Sequence, residues 1–217
     1  MPAPAIPTFD EESALWDQGY RCIAGVDEVG RGPVAGPVVA AAVVLYPLEG
    51  DQPWLGQVRD SKQLTAGQRG KVEPRIRAEA FGVGVGVVSP TIIDRIGIAP
   101  ACREAMRRAL ANLPCQPDFA LIDGRDRLTL EQPYKTVVKG DGAILSVAAA
   151  SIVAKVYRDR LMVRLDECCR GWGFARHKGY ATRDHLQAIE RLGPSVAHRR
   201  SFLPFRQPRL PPGEPPQ

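Results

Sequence analysis

The run RCIAGVDEVGRGPVAGPVVAAAVVLY (21–46) sets how the rest of the chain is read. Its first part, 21–29, reads as a strand with Asp27 and Glu28 near its end. Its last part, 38–46, is an unbroken apolar run of strand length, too short for a helix. The glycines and prolines of GRGPVAGP between them predict a hairpin or a wide turn. FGVGVGVV (81–88) alternates with period two, so it predicts a third strand whose glycine face is closely covered by another element. DFALIDG (118–124) and YKTVVKGD (134–141) read as two further strands, ending in Asp123 and Asp141.

Helical segments fall between and after these strands. Residues 10–19 suit a short amphipathic helix. Thr65 and Gln68 have the spacing of a capping box ahead of 66–80, where Pro74 is the one interruption. Ser89 before Pro90 is a helix start, with a break expected near Gly97 to Pro100 and helix again over 101–112. Residues 143–168 form the longest helical stretch, rich in small residues that permit close packing on a sheet. A last helix fits 182–192, with Thr182 as its cap. This order predicts an α/β fold: a mixed five-stranded sheet, partly antiparallel, with helices on both faces and a C-terminal helical extension.

The chain has 217 residues, 44% hydrophobic and 24% charged, which suits one folded domain over 1–203. The end, 204–217, is proline-rich and is expected to be a flexible tail. No apolar run reaches bilayer length, and the first residues lack the features of a secretory signal. A soluble cytoplasmic protein with no membrane partner is expected, with a monomer as the default. Five cysteines without a C-x-x-C pair argue against a disulfide framework or a cysteine zinc site. Charge is unevenly spread: residues 151–217 hold 13 Lys/Arg and 6 Asp/Glu, against 16 and 18 in residues 1–150. The basic excess of the C-terminal third, mostly arginine, would attract a polyanion, although a solvated surface has the same composition.

Four acids stand beside strand ends: Asp27, Glu28, Asp123 and Asp141. If those ends converge, the carboxylates repel one another unless cations hold them, and hard divalent ions favour oxygen ligands. One or two such ions would suit phosphodiester hydrolysis. Each acid taken alone reads more readily as a cap or turn residue, and four together weaken that reading. On a regular strand Asp27 and Glu28 face opposite sides, so both serve one cluster only if the backbone bends or one ligates from another angle. Gly30-Arg31-Gly32 would let backbone approach a ligand, or is simply a tight turn. It lacks the spacing of a dinucleotide fingerprint, and no P-loop occurs. Asp123, Asp126 and Glu131 miss the spacing of a calcium loop. His177, His185 and His198 miss that of a zinc site, and surface or phosphate contacts are expected of them. Trp172, Phe174, Arg176, His177, Lys178 and Tyr180 interleave aromatic and basic groups, as in a nucleic-acid surface or a core beside a glycine loop.

Six blocks carry a resemblance: GVDEVGRGPVAGPV (25–38), DSKQL (60–64), LIDG (121–124), KGDGAILSVAAASIVAKVYRD (139–159), HKGYAT (177–182) and HRRSF (198–202). In this order the sequence resembles bacterial ribonuclease HII. The resemblance implies a ribonuclease H-like fold whose helical part, about 160–203, binds substrate. It implies endonucleolytic cutting of RNA in RNA/DNA hybrids and at single ribonucleotides in duplex DNA, leaving 3′-hydroxyl and 5′-phosphate ends. It implies that Asp27, Glu28, Asp123 and Asp141 are the catalytic, metal-binding set for Mg²⁺ or Mn²⁺. Gly30, Arg31 and Gly32 would read the 2′-hydroxyl, Tyr180 would stack on the next sugar, Ser61 would position backbone, and Lys62, Lys155 and Lys178 would contact phosphate. Glycines at 140 and 142 replace the alanines common around the last aspartate. Ribonuclease HIII is related, but has lysine in the turn where this chain has Arg31. Gln207 and Leu210 suggest a sliding-clamp peptide, but Gly213 and Glu214 stand where its aromatics would be, so clamp binding is not expected. A non-catalytic hybrid-binding module and an unrelated DNA nuclease are the competing readings. The acid quartet argues against the first, because carboxylates hinder phosphate binding unless metals intervene. Cutting of an all-DNA duplex would mark the second.

Overall fold

The computed structural model describes residues 6–47 and 52–205. The proposed tail and its clamp-like residues lie outside these, apart from 204 and 205. Strand β1 (Ile23–Val29) pairs antiparallel with β2 (Val38–Val44), which pairs antiparallel with β3 (Gly82–Val88). On its other side β1 pairs in parallel with β4 (Phe119–Asp123), and β4 with β5 (Tyr134–Val137). The sheet order is β3-β2-β1-β4-β5, the mixed five-stranded sheet that the order of strands and helices predicted. All seven residues of β2 are buried. Cover on both faces, at roughly 1.5–3 kcal/mol per large aliphatic side chain, explains why an unbroken apolar run encodes it.

Helices α1 (Asp10–Asp17), α2 (Ala66–Glu79), α3 (Pro90–Ile96), α4 (Ile98–Ala111) and α5 (Leu145–Cys168) surround the sheet. Ala24, Val26 and Ile122 face α4, in a core with Cys102, Ala105 and Met106. Val39, Ala41 and Val43 face α5, in a core with Ile152 and Val153 that also takes Val72 and Ile76 of α2. The glycine face of β3 is covered as the alternation required: a Cβ at Gly84 or Gly86 would lie 2.1 or 2.0 Å from a carbonyl oxygen of α4. The capping box of Thr65 and Gln68 is formed, and Ser89 and Thr182 accept from the first turns of α3 and of α7 (Arg183–Leu192).

Two boundaries differ from expectation. The break between α3 and α4 is only Gly97, since Pro100 lies in the first turn of α4, where a missing N–H removes no helical bond. The strand expected over 134–141 stops at Val137. Lys139 adopts a left-handed φ of 59°, and Gly140–Gly142 then form a single 3-10 turn ahead of α5. Asp141 is thus presented by that turn. Beyond the sheet, α6 (Phe174–His177) packs on α5, α7 meets α6 through the stacked rings of His185 and His177, and Met162, Phe174, Ala35 and Ala197 form a separate small core. Among the described residues no helix is long and apolar enough to cross a membrane.

Candidate active site

The acid cluster follows from strand register. Gly25 pairs with Leu121 and Val26 with Ile122 across parallel β1 and β4, so one step further Asp27 and Asp123 stand side by side. Period two puts both on the face of α5. The 3-10 turn adds Asp141, and Gly140 N–H donates to Asp123 Oδ1 at 2.7 Å, tying the turn to the strand end. One carboxylate oxygen from each of Asp27, Asp123 and Asp141 lies within 4.8 Å of the others. Burial, and then the charges of Glu28, Asp123 and Asp141, push the Asp27 carboxyl well above the ordinary carboxylate range. Burial and the Asp141 charge raise Asp123 as well. The Lys62 ammonium donates to Asp141 Oδ2 at 2.8 Å. Burial opposes its charge, but Asp141 raises its pKa overall. Three hard oxygen donors with one movable lysine as counter-charge fit a divalent cation.

Glu28 is not in this cluster. Pairing of β1 with β2 runs without a bulge through Asp27–Ala41, Glu28–Ala40 and Val29–Val39, so the backbone does not bend and Glu28 turns to the α4 face. There it meets Arg31 Nη1 at 3.2 Å, and the same nitrogen meets Asp126 at 3.0 Å. Burial raises the Glu28 pKa, and Arg31 opposes that shift. Asp126 enters the site as the second acceptor of Arg31, a role its sequence neighbourhood does not signal.

The Gly30-Arg31-Gly32 turn is held from behind. Arg199, fully buried, donates to the carbonyls of Gly36 (2.9 Å), Arg31 (3.0 Å) and Gly30 (2.6 Å). Arg158, also fully buried, donates to those of Pro37 (2.9 Å), Lys178 (3.0 Å) and Ala35 (3.3 Å). Neither arginine forms an ion pair among the described residues. Gly30 has φ +97°, and a Cβ there would lie 2.4 Å from Arg158 Nε, so glycine is required at 30 for internal reasons. Gly32 instead faces open space, with the Tyr180 ring 3.7 Å from where a Cβ would be. The N–H groups of Arg31 and Gly32 have no protein acceptor among the described residues. Tyr180 is exposed. The turn and the tyrosine therefore form one open edge. The two buried arginines escape a reading of the sequence because backbone carbonyls, which have no residue signature, are their partners.

The other expected substrate residues have partners within the protein. Ser61 is buried, its N–H donating to Ser151 Oγ at 3.2 Å. Lys155 is paired with Asp159 at 2.7 Å. The Lys178 ammonium donates to the Ala175 carbonyl, and its backbone is left-handed (φ 53°).

The histidines are not surface groups. His185 and His198 are buried, with their Nε2 atoms 3.1 Å apart. His198 Nδ1 accepts from Ser195 N–H (2.9 Å), which leaves its Nε2 to donate to His185. His185 Nδ1 then donates to the Tyr180 carbonyl at 2.8 Å. The ring of His177 stacks 4.0 Å from that of His185. Each bond fixes a neutral tautomer. Burial, and then the neighbouring His185, lower His198 from 6.5 to about 4. Tertiary packing beside fully buried Phe174 overrides the polar character that suggested surface positions.

Known proteins share both this sequence pattern and this architecture. Residues 24–204 match the sequence profile of the family described as Ribonuclease HII. A Ribonuclease HII of Dehalococcoides mccartyi is 48% identical over 207 residues, which cover 95% of this chain and 97% of that protein. One from Chloroflexus aurantiacus is 50% identical over 200 residues, covering 92% and 94%. The crystal structure of the ribonuclease H2 from Pyrococcus horikoshii superposes with a TM-score of 0.70 at 29% identity, covering 85% of this chain and 95% of that one.

Proposed function

Since the chain belongs to the ribonuclease HII family, we propose a reaction built on the site just described: metal-assisted hydrolysis of a phosphodiester bond at a ribonucleotide. The activity is endonucleolytic cleavage of RNA in RNA/DNA hybrids and at ribonucleotides embedded in duplex DNA. The observation that carries the reading is the meeting of Asp27, Asp123 and Asp141 around a space of metal-site size.

Asp27, Asp123 and Asp141 would hold Mg²⁺ or Mn²⁺. Held by these carboxylates, a divalent ion would supply water activation and stabilisation of the leaving oxygen, and cleavage would leave 3′-hydroxyl and 5′-phosphate ends. Glu28, paired with Arg31 on the opposite face of β1, would join the set as the fourth acid from that side, where its charge already acts on that of Asp123, while half-exposed Arg31 would turn to phosphate. Lys62 would leave Asp141 for a phosphate oxygen. Lys155 and Lys178 are further phosphate contacts, and Ser61 supports the backbone at Lys62. The open N–H groups of Arg31 and Gly32, with that of Gly30, suit readout of a 2′-hydroxyl. Tyr180 beside Gly32 would stack on the following sugar. We place catalysis in one domain over 1–203, whose part from about 160 supplies Tyr180 and Lys178 to the substrate, and take the protein to act as a monomer in the cytoplasm.

The test is cleavage of a duplex carrying one ribonucleotide, with Mg²⁺, beside an all-DNA duplex. The parent protein cuts only the first, at the ribonucleotide, and Asp27→Asn lowers the rate about 1000-fold. Equal cutting of both duplexes, or undiminished cutting by the variant, contradicts the reading.

A further inference from the structure

A second concentration of charge lies outside the acid cluster and the glycine turn. Arg95, Arg103, Arg107, Arg108 and Arg127 line one surface cavity of about 360 Å³, together with a single carboxylate, Glu104. Glu104 is fully engaged: it accepts from Arg107 (2.9 and 3.0 Å) and from Arg108 (2.7 Å). Arg108 also donates to the Val87 carbonyl at 2.7 Å. Arg95, Arg103 and Arg127 meet no acceptor among the described residues. Arg95 and Arg127 are exposed, and Arg103 is partly so. Elsewhere arginines of the helices are commonly paired, as Arg77 and Arg160 are to Glu73. The near-neutral charge sum of residues 1–150 conceals this local surplus.

The cavity adjoins the substrate edge at two places. Arg127 follows Asp126, which holds Arg31 of the glycine turn. Arg95 follows Asp94, whose carboxylate accepts from the N–H groups of Arg200 and Ser201, next to Arg199, which holds the same turn. Cα atoms of consecutive residues are about 3.8 Å apart, so the backbone at Arg127 lies next to a residue that holds the turn. A nucleic acid duplex carries one negative charge per about 1.7 Å of its axis, and any duplex seated on the turn brings several phosphates within reach of this wall. Free guanidinia gathered in a concavity repel each other unless an anion joins them, and their planar forks suit phosphate oxygens.

We propose that this arginine cavity, formed by α3, α4 and the segment after β4, binds the phosphate backbone of the substrate duplex beyond the cut site, extending the footprint past the glycine turn. The proposal rests on the activity argued above and adds a binding surface that the acids and the turn do not supply.

The test uses the variant Arg95→Gln/Arg103→Gln/Arg127→Gln of the full chain, with a circular dichroism melt to establish folding. Cleavage of a one-ribonucleotide duplex is measured with flanks of about 4 and about 15 base pairs over a KCl series, and binding of the same duplexes is measured in EDTA. On long flanks the variant raises KM and Kd about tenfold at 0.15 M KCl. It also lowers the slope of log K against log salt by about 2 to 3, since each phosphate no longer neutralised removes about 0.9 from that slope. On short flanks parent and variant differ less than twofold. Equal KM, Kd and salt slope for parent and variant on long flanks, or the same weakening on short and long flanks, overturns the proposal. If the parent binds but does not cut, the activity reading fails, and the binding arm still decides the cavity.

Discussion

Asp27, Asp123 and Asp141 on one side, and Arg158 and Arg199 on the other, both gather like charges inside the protein. The acids come from two strand ends and a turn, with oxygens within 4.8 Å of each other, and Lys62 is the ammonium bonded to one of them. Burial, and then the neighbouring carboxylates, raise Asp27 and Asp123, and of the three Lys62 faces only Asp141 directly. The arginines have no carboxylate either, yet six backbone carbonyls absorb their donors. Burial, and then Arg158, lower Arg199 to about 9, which still leaves it charged at neutral pH. The difference separates a site from a scaffold. A buried charge satisfied by the chain's own dipoles fixes backbone, whereas one left short of counter-charge is poised to take an ion from solution.

The contrast breaks first if Arg199 is dispensable. Arg199→Met leaves the carbonyls of Gly30, Arg31 and Gly36 without their donors, at about 1–3 kcal/mol for each buried unsatisfied group, partly offset by the charge no longer buried. A net destabilisation of about 3 kcal/mol in urea unfolding is expected, and one below about 1 kcal/mol would make the clamp ornamental.

For the acids the opposite sign follows. A carboxyl whose folded pKa is raised holds its proton longer in the folded state than in the unfolded one. Stability of the metal-free protein therefore falls as pH rises from the unfolded value, 3.8 for Asp27, through the folded pKa. Asp27→Asn removes that decline, so in EDTA its melting temperature exceeds the parent's at pH 7 by a few degrees, and the gap closes on acidification. A variant that melts lower than the parent at pH 7 would mean that the acids are already satisfied.

The histidines sharpen the contrast as buried groups held neutral. His185 and His198 have folded pKa values below 6.5, so the unfolded chain takes up protons first as pH falls. Their contribution to stability is present above about 6.5 and is lost towards about 4. In Asp27→Asn, where the opposing slope is reduced, melting temperature should fall over this window. The additional change His198→Gln should flatten it, and an unchanged slope would show that the relay is not the titrating element.

Much of this is legible in the sequence. The register that aligns Asp27 with Asp123 follows from two apolar strands ending in acids, and the covered glycine face of β3 from strict alternation. The period of a strand also predicts that Asp27 and Glu28 diverge, and the bend that would have joined them is absent because ladder pairing continues to Val29. Asp141 reads as a strand end because VVKGD looks extended. The left-handed Lys139 that breaks the strand depends on the turn docking against Asp123. The arginine clamp is not legible, since its partners are carbonyls mostly brought from far along the chain, and the histidine relay, though local, is not legible because ring-to-ring and ring-to-carbonyl bonds leave no motif spacing.

The central claim, that three converging carboxylates bind a divalent ion, is tested most directly by titrating Mn²⁺ into the metal-free protein while following its melting temperature. A ligand that binds only the folded state raises stability with concentration. The parent should show a saturable rise that Asp27→Asn lacks, whereas identical responses of parent and variant would contradict the account.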